Sequence, residues 1–218
     1  TCHAPRVESD VNAPNTPYRP LLSNAARPST FTVRATDETG AARETPIAGE
    51  HPLTLYVDKH ELVTLMTLGA APEALAIGYL RNQRLVERVE DIVAVQVDWE
   101  VGAVVVKTRH GLADLEAKTK KRTTTSGCGQ GTVFGDLMAE IESVRLPPGA
   151  TLAQETLYAL LDRVRVHETI YKQAGAVHGC ALATNEPGRS EILAFVEDVG
   201  RHNAVDAIAG RMWLDRID

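Results

Sequence analysis

The apolar positions of this chain follow two rhythms, and the change from one to the other organises it. Between residues 30 and 106, short runs rich in β-branched residues predict strands at 31–35, 53–57, 62–67, 92–97 and 103–106. One helix interrupts them, opening at Pro72, where a residue without an N–H costs nothing at the first helical position. Farther on the spacing becomes helical. Val133, Phe134, Leu137, Met138 and Ile141 share one helical face. Thr151 with Gln154 forms a capping-box pattern before a long helix whose Leu157, Leu160, Leu161, Val164 and, beyond them, Ile170 face a core. Apolar runs at 177–183 and 192–196 predict two strands, and Ala204, Val205, Ile208 and Ala209 return to helical spacing. The order helix, strand, strand, helix predicts an α/β sandwich over 127–218, joined to a smaller α+β region over 30–126. Residues 1–29, interrupted by Pro5, Pro14, Pro17, Pro20 and Pro28, are expected to form an extended or mobile arm. No internal repeat is visible.

Composition narrows the class of protein. With 218 residues, 44% hydrophobic and 24% charged, the chain can bury a sizeable core. No run is long enough to span a membrane, and the first residues lack a secretory pattern, so the expected location is cytoplasmic with no membrane partner. A net charge of -6 argues against nucleic acid as a partner, and Lys118, Lys120, Lys121 and Arg122 read on base rates as a solvated face. Three cysteines, at 2, 128 and 180, have neither paired spacing nor disulfide density, which fits a reducing compartment.

Two segments carry the candidate chemistry. VEDVGRHNAVD, residues 196–206, places Glu197, Asp198, Arg201, His202 and Asn203 around Gly200 where a strand becomes a helix. Asn203 with Asp206 three residues on reads as a helix cap, which would leave backbone N–H groups and the positive end of the helix dipole to an anion flanked by Arg201 and His202. The second segment, TTTSGCGQG at 123–131, sets Cys128 among Gly127, Gly129 and Gly131, between a cationic run and a helical pattern. Little bulk shields that sulfur, and its surroundings favour the thiolate. Cys180, in an apolar strand, reads as a small buried hydrophobe, and His178 could simply satisfy a carbonyl at a strand start. The glycines around Cys128 fit neither the dinucleotide nor the Walker pattern.

These residues resemble the formate dehydrogenase accessory sulfurtransferases, the FdhD family. The resemblance rests on VEDVGRHNAVD, on the glycine-flanked cysteine loop at 126–131, on AGAVHGCALA at 174–183 and on GAAPEALAIGYLRNQRLV at 69–86, and it runs from about Glu50 to the end of the chain. It implies a three-layer fold similar to cytidine deaminases and a homodimer. It also implies a function: a cysteine desulfurase loads sulfur onto Cys128 as a persulfide, and the sulfur passes to the molybdenum (or tungsten) bis(guanine dinucleotide) cofactor before insertion into the formate dehydrogenase catalytic subunit. The cofactor would be a bound substrate touched by His178, Asp198, Arg201 and His202, with guanosine diphosphate as its mimic and no metal held directly by the protein. Asp198 is expected to accept hydrogen bonds from the guanine edge or ribose.

The chain departs from the family's pattern twice. Many members carry C-x-x-C in the loop, whereas Gly131 stands at the second position here, so no disulfide can form within this loop. The chain also stops at Asp218, where the family continues through further strands and a glycine- and arginine-containing loop, an ending expected of a truncated, cleaved or partly ordered product. Two other functions remain open: a cofactor chaperone that carries no sulfur, and a zinc hydrolase of deaminase type. Against the latter, Cys180 stands where the required glutamate would be and no Pro-Cys-x-x-Cys occurs.

Overall fold

The computed structural model describes residues 17–111, 145, 148–167, 169–186, 188 and 190–217. Cys128, its loop and the helical pattern from Val133 to Ile141 lie outside the described residues. The N-terminal region contains five strands, β1 (Leu21–Leu22), β2 (Thr30–Thr36), β3 (Ala42–Ala48), β4 (His51–Val57) and β5 (His60–Thr67), followed by helix α1 (Pro72–Asn82). A 3-10 turn at Val89–Asp91 leads into β6 (Ile92–Asp98) and β7 (Ala103–Thr108). The remaining described elements are α2 (Gln154–His167), α3 (Ile170–Ala174), β8 (His178–Ala183), β9 (Ile192–Asp198) and α4 (Arg201–Asp215).

A mixed five-stranded sheet, in the order β1-β6-β7-β4-β5, forms the base of the fold, and β2-β3 and β8-β9 form separate two-stranded sheets. Strand alternation explains its buried side. Leu53, Leu55 and Val57 of β4, Val104 and Val106 of β7, and Ile92 and Val95 of β6 are all fully buried on one face. Helix α1 covers that face, and α4 lies against α1 on one side and against the β8-β9 hairpin on another. Pro72 through Leu80 are therefore buried almost all round the helix, unlike the single stripe of a surface helix. Small residues permit the contact: a Cβ built on Gly78 would sit 1.6 Å from the Asp206 carbonyl oxygen, and one on Gly210 would sit 1.9 Å from that of Ala74. Val196, Ala204, Ala207 and Ile208 join the sheet and α1 in one hydrophobic cluster.

The strands expected between residues 31 and 106 are present, as is the helix opening at Pro72. Two strands were not foreseen. Residues 17–29 run extended along the sheet, with Leu21–Leu22 paired in parallel to β6, the Tyr18 hydroxyl donating to the Ile92 carbonyl at 2.5 Å and the Trp99 indole donating to the Ala25 carbonyl at 2.6 Å. Helix α2 corrects two expectations. It starts at Gln154, whose side-chain amide donates to the Tyr158 hydroxyl, so the Thr151–Gln154 capping box is not made. Its apolar stripe is also not a core face, because Leu157 and Leu161 are 42% and 46% exposed. Leu160 and Val164 of the same stripe are half-buried. Ile170 belongs to a separate short helix, α3. The class observed is mixed α/β. Among the described residues, no helix is long and apolar enough to cross a membrane.

Candidate functional site

Five chain segments meet at one end of the sheet. Antiparallel β4 and β5 bring His51 beside Thr67, β6 ends there just before Trp99, and β9 ends there just before α4. Asp198 joins these segments. Its Oδ2 accepts from the Thr67 hydroxyl at 2.6 Å and the Leu68 amide at 3.3 Å, and its Oδ1 accepts from the Gly200 amide at 3.1 Å and the Asn203 side-chain amide at 3.2 Å. Four donors saturate a carboxylate. Burial pushes the Asp198 carboxyl up, while the bonds from Thr67, Gly200, Asn203 and Leu68 oppose that rise. Asp198, expected to accept hydrogen bonds from a guanine edge or ribose, is 5% exposed and turned inward.

Glu197 faces the other side of the strand and is also occupied. Its Oε2 accepts from the Thr169 amide and hydroxyl and the Ile170 amide at 3.0–3.1 Å, and its Oε1 accepts from the Tyr171 amide at 2.9 Å. It thus caps the start of α3. Burial raises its carboxyl, but the bonds from Ile170, Tyr171 and Thr169 outweigh that and hold it below its ordinary value.

The cap of α4 also differs from the expectation. Gly200, not Asn203, is the N-cap, in extended backbone with φ -103°. Asn203 lies in the first turn, and its amide reaches the Met66 carbonyl at 2.6 Å as well as Asp198. Asp206 is likewise no capping partner: it is buried between α1 and α4, accepting from the Asn82 amide at 2.6 Å, and desolvation pushes its carboxyl up to about 6. Asp198 supplanted Asn203 because it already accepts the Gly200 N–H from the preceding strand. The first helical bond runs from the Ala204 amide to the Gly200 carbonyl, so the amides of Arg201, His202 and Asn203 precede it.

With both acids turned inward, what the corner presents outward is cationic or neutral. Arg201 and His202 are exposed at the start of α4, and exposed His178 pairs in register with Asp198. The structure thus brings together His178, Asp198, Arg201 and His202, three outside and one inside. Cys180 lies beside them, half-buried, with its Sγ 3.8 Å from the Arg201 carbonyl, and burial pushes its thiol up. That is the environment of an inert structural cysteine. Among the described residues, no three His, Cys, Asp or Glu side chains gather into a metal-binding group.

Sequence pattern did not reveal Thr67, His51, Trp99 or Arg27 as parts of this end of the molecule. Thr67 bonds to an aspartate 131 residues away, which no local spacing encodes. Arg27 stacks over the Trp99 ring at 5.3 Å, and the His51 and Trp99 rings lie 5.9 Å apart.

A strand-to-helix corner that faces solvent through cations and backbone donors is a geometry suited to an anion. Residues 48–218 match the model of the FdhD/NarQ family, and the chain belongs to that family. It is 28% identical over 178 residues to the sulfur carrier protein FdhD of Wolinella succinogenes, an alignment covering 82% of this chain and 60% of that protein. The corresponding protein of Listeria monocytogenes is 30% identical over 175 residues, covering 79% and 65%. The chain thus spans under two thirds of the length of these curated relatives. A solved structure from Desulfotalea psychrophila, provisionally described as a formate dehydrogenase accessory protein, superposes with a TM-score of 0.59 at 20% identity over 88% of this chain and 72% of that one.

Proposed function

We propose that this protein carries sulfur for the maturation of formate dehydrogenase, in the cytoplasm and as a homodimer. A cysteine desulfurase hands its outer persulfide sulfur to the Cys128 thiolate, which attacks that sulfur, forms the new S–S bond and releases the desulfurase thiolate. The sulfur then passes to the molybdenum bis(guanine dinucleotide) cofactor, held as substrate, before delivery to the formate dehydrogenase catalytic subunit. The relatives' names as sulfur carrier proteins support the sulfur half of this reading.

The observation that carries the cofactor half is the inward turn of Glu197 and Asp198. A corner with two acids would repel a dinucleotide if they faced solvent; with both oxygen pairs consumed internally, Arg201, His202 and the first amides of α4 meet the phosphates without competition. His178 stands beside them on β8. The test compares guanosine diphosphate with guanosine by calorimetry. Charge-assisted contacts of roughly 1.5–3 kcal/mol predict about 10- to 100-fold tighter binding of the diphosphate, shrinking as salt rises, with His202→Ala removing part of the gain. Equal affinity for the two would take phosphate recognition away from this corner.

A further inference from the structure

The end of the sheet that holds the corner has a second, unabsorbed cluster. The Arg27 guanidinium lies over the Trp99 ring, 5.3 Å from its centroid, and His51 stands against the same ring. Trp99 is itself fixed, because its indole N–H donates to the Ala25 carbonyl at 2.6 Å. The backbone beneath Arg27 is fixed too: its amide donates to the Gly69 carbonyl at 2.8 Å, and Gly69 has φ +72° with its ideal Cβ position 2.9 Å from the Trp99 ring, so only glycine fits. An arginine held this way has lost much of its rotamer freedom before any ligand arrives.

Among the described residues, its charge has no carboxylate neighbour. Arg19, Arg43, Arg88 and Arg165 each pair with an aspartate, whereas Arg27 is exposed. The group it faces is instead basic. Burial, and then the Arg27 charge, push the His51 imidazole below its ordinary value. Arg27 thus disfavours the protonated His51 imidazole, and an anion beside both groups would relieve that cost and favour its protonation.

This cluster is coupled geometrically to the corner. Gly69 donates its amide to the Thr67 hydroxyl at 3.2 Å, that hydroxyl donates to Asp198 at 2.6 Å, and Asp198 holds the Gly200 amide at the start of α4. His51 is the cross-strand partner of Thr67. One short chain of hydrogen bonds thus links the backbone beneath Arg27 to the start of α4 through Asp198. Arg27 precedes residues 48–218, the span matched by the family model, whereas His51, Gly69 and Trp99 lie within it.

We propose that Arg27 and His51, mounted on Trp99, form a second phosphate-binding point for a diphosphate-bearing ligand, linked through Gly69, Thr67 and Asp198 to the corner at the start of α4. The inference deepens the cofactor half of the function given above and names two further residues for it. The His51 imidazole is the reporter, because the anion that settles beside Arg27 must raise its pKa.

The experiment follows the His51 ring resonances against pH in the full chain, with and without inorganic pyrophosphate, at matched ionic strength in sodium chloride. Saturating pyrophosphate should raise the His51 midpoint by about one pH unit. Arg27→Gln should raise it in the free protein, abolish the further rise, and weaken pyrophosphate about tenfold. A His51 midpoint that ignores pyrophosphate, or an unchanged affinity in Arg27→Gln, overturns the proposal. The two readings fail separately. If guanosine diphosphate binds through His202 while His51 stays still, the second point is wrong and the corner stands; if His51 responds to pyrophosphate and Arg27→Gln weakens guanosine diphosphate while His202→Ala leaves it unchanged, the second point stands and the corner reading falls.

Discussion

Replacing Asp206 by Asn should stabilise this protein at neutral pH, which is the opposite of what removing a charged residue from a family hallmark usually suggests. Asp206 is 4% exposed between α1 and α4, and its side-chain partner among the described residues is the neutral Asn82 amide, so burial raises its carboxyl from 3.8 to about 6. A folded-state value above the unfolded one means that the folded state binds the proton more tightly. The resulting stabilisation is fully present below about 3.8 and is lost as pH rises through about 6. At about 1.4 kcal/mol per pH unit, the ionised form at pH 7 forgoes about 3 kcal/mol. Asn keeps an oxygen for the Asn82 amide and cannot ionise, so Asp206→Asn should exceed the natural protein by up to about 3 kcal/mol at pH 7.5, with the gap closing by pH 4. Urea denaturation across that range measures it. Glu197 and Asp198 also titrate, but both are common to the two proteins and cancel in the difference. A variant less stable than the natural protein at pH 7.5 would refute the reasoning, since it would mean that the buried charge is compensated.

Three other outcomes follow from the geometry. Gly78→Ala forces a methyl to 1.6 Å from the Asp206 carbonyl oxygen, a backbone atom that cannot rotate away, so the cost should reach or pass the upper end of roughly 1–3 kcal/mol in thermal unfolding. Thr67→Val keeps the shape but removes a donor from Asp198, and should cost about 1–3 kcal/mol while weakening guanosine diphosphate, because the start of α4 loses its anchor. Glu197→Gln removes the charge that caps α3. It should destabilise the protein at pH 7 by about 1 kcal/mol or more, an effect that fades as pH falls below 4.5, where the natural carboxyl also becomes protonated.

Much of the fold was legible because it obeys strong local rules. β4, β6 and β7 alternate or run apolar, and Pro72 marks the start of α1. β3 was missed because its residues are mostly exposed and include Pro46, so no alternation marks it; the signal available was the turn at Asp37–Gly40, where the Asp37 carboxylate accepts from the Thr39 and Ala41 amides. β1 has only two residues and exists through its neighbour β6. In the site, the residue types at the corner were readable, but their directions were not. Asn203 and Asp198 look equally able to cap or to bind, and the choice is made by Thr67 and Met66, brought in from another strand. The α2 stripe misled for a related reason: periodicity states which residues share a face, and only tertiary structure states whether anything covers it.

Sulfur carriage by Cys128 is the central claim, and mass spectrometry of the protein after incubation with a cysteine desulfurase and cysteine tests it most directly. One sulfur should be added to the peptide containing Cys128 and be removable by reductant. Cys128→Ala should abolish the addition, and Cys180→Ala, whose thiol burial keeps protonated, should leave it intact. Because Gly131 replaces a second loop cysteine, the persulfide should persist and not resolve into a disulfide within that loop. No added sulfur on Cys128, or the same addition in Cys128→Ala, would contradict the account.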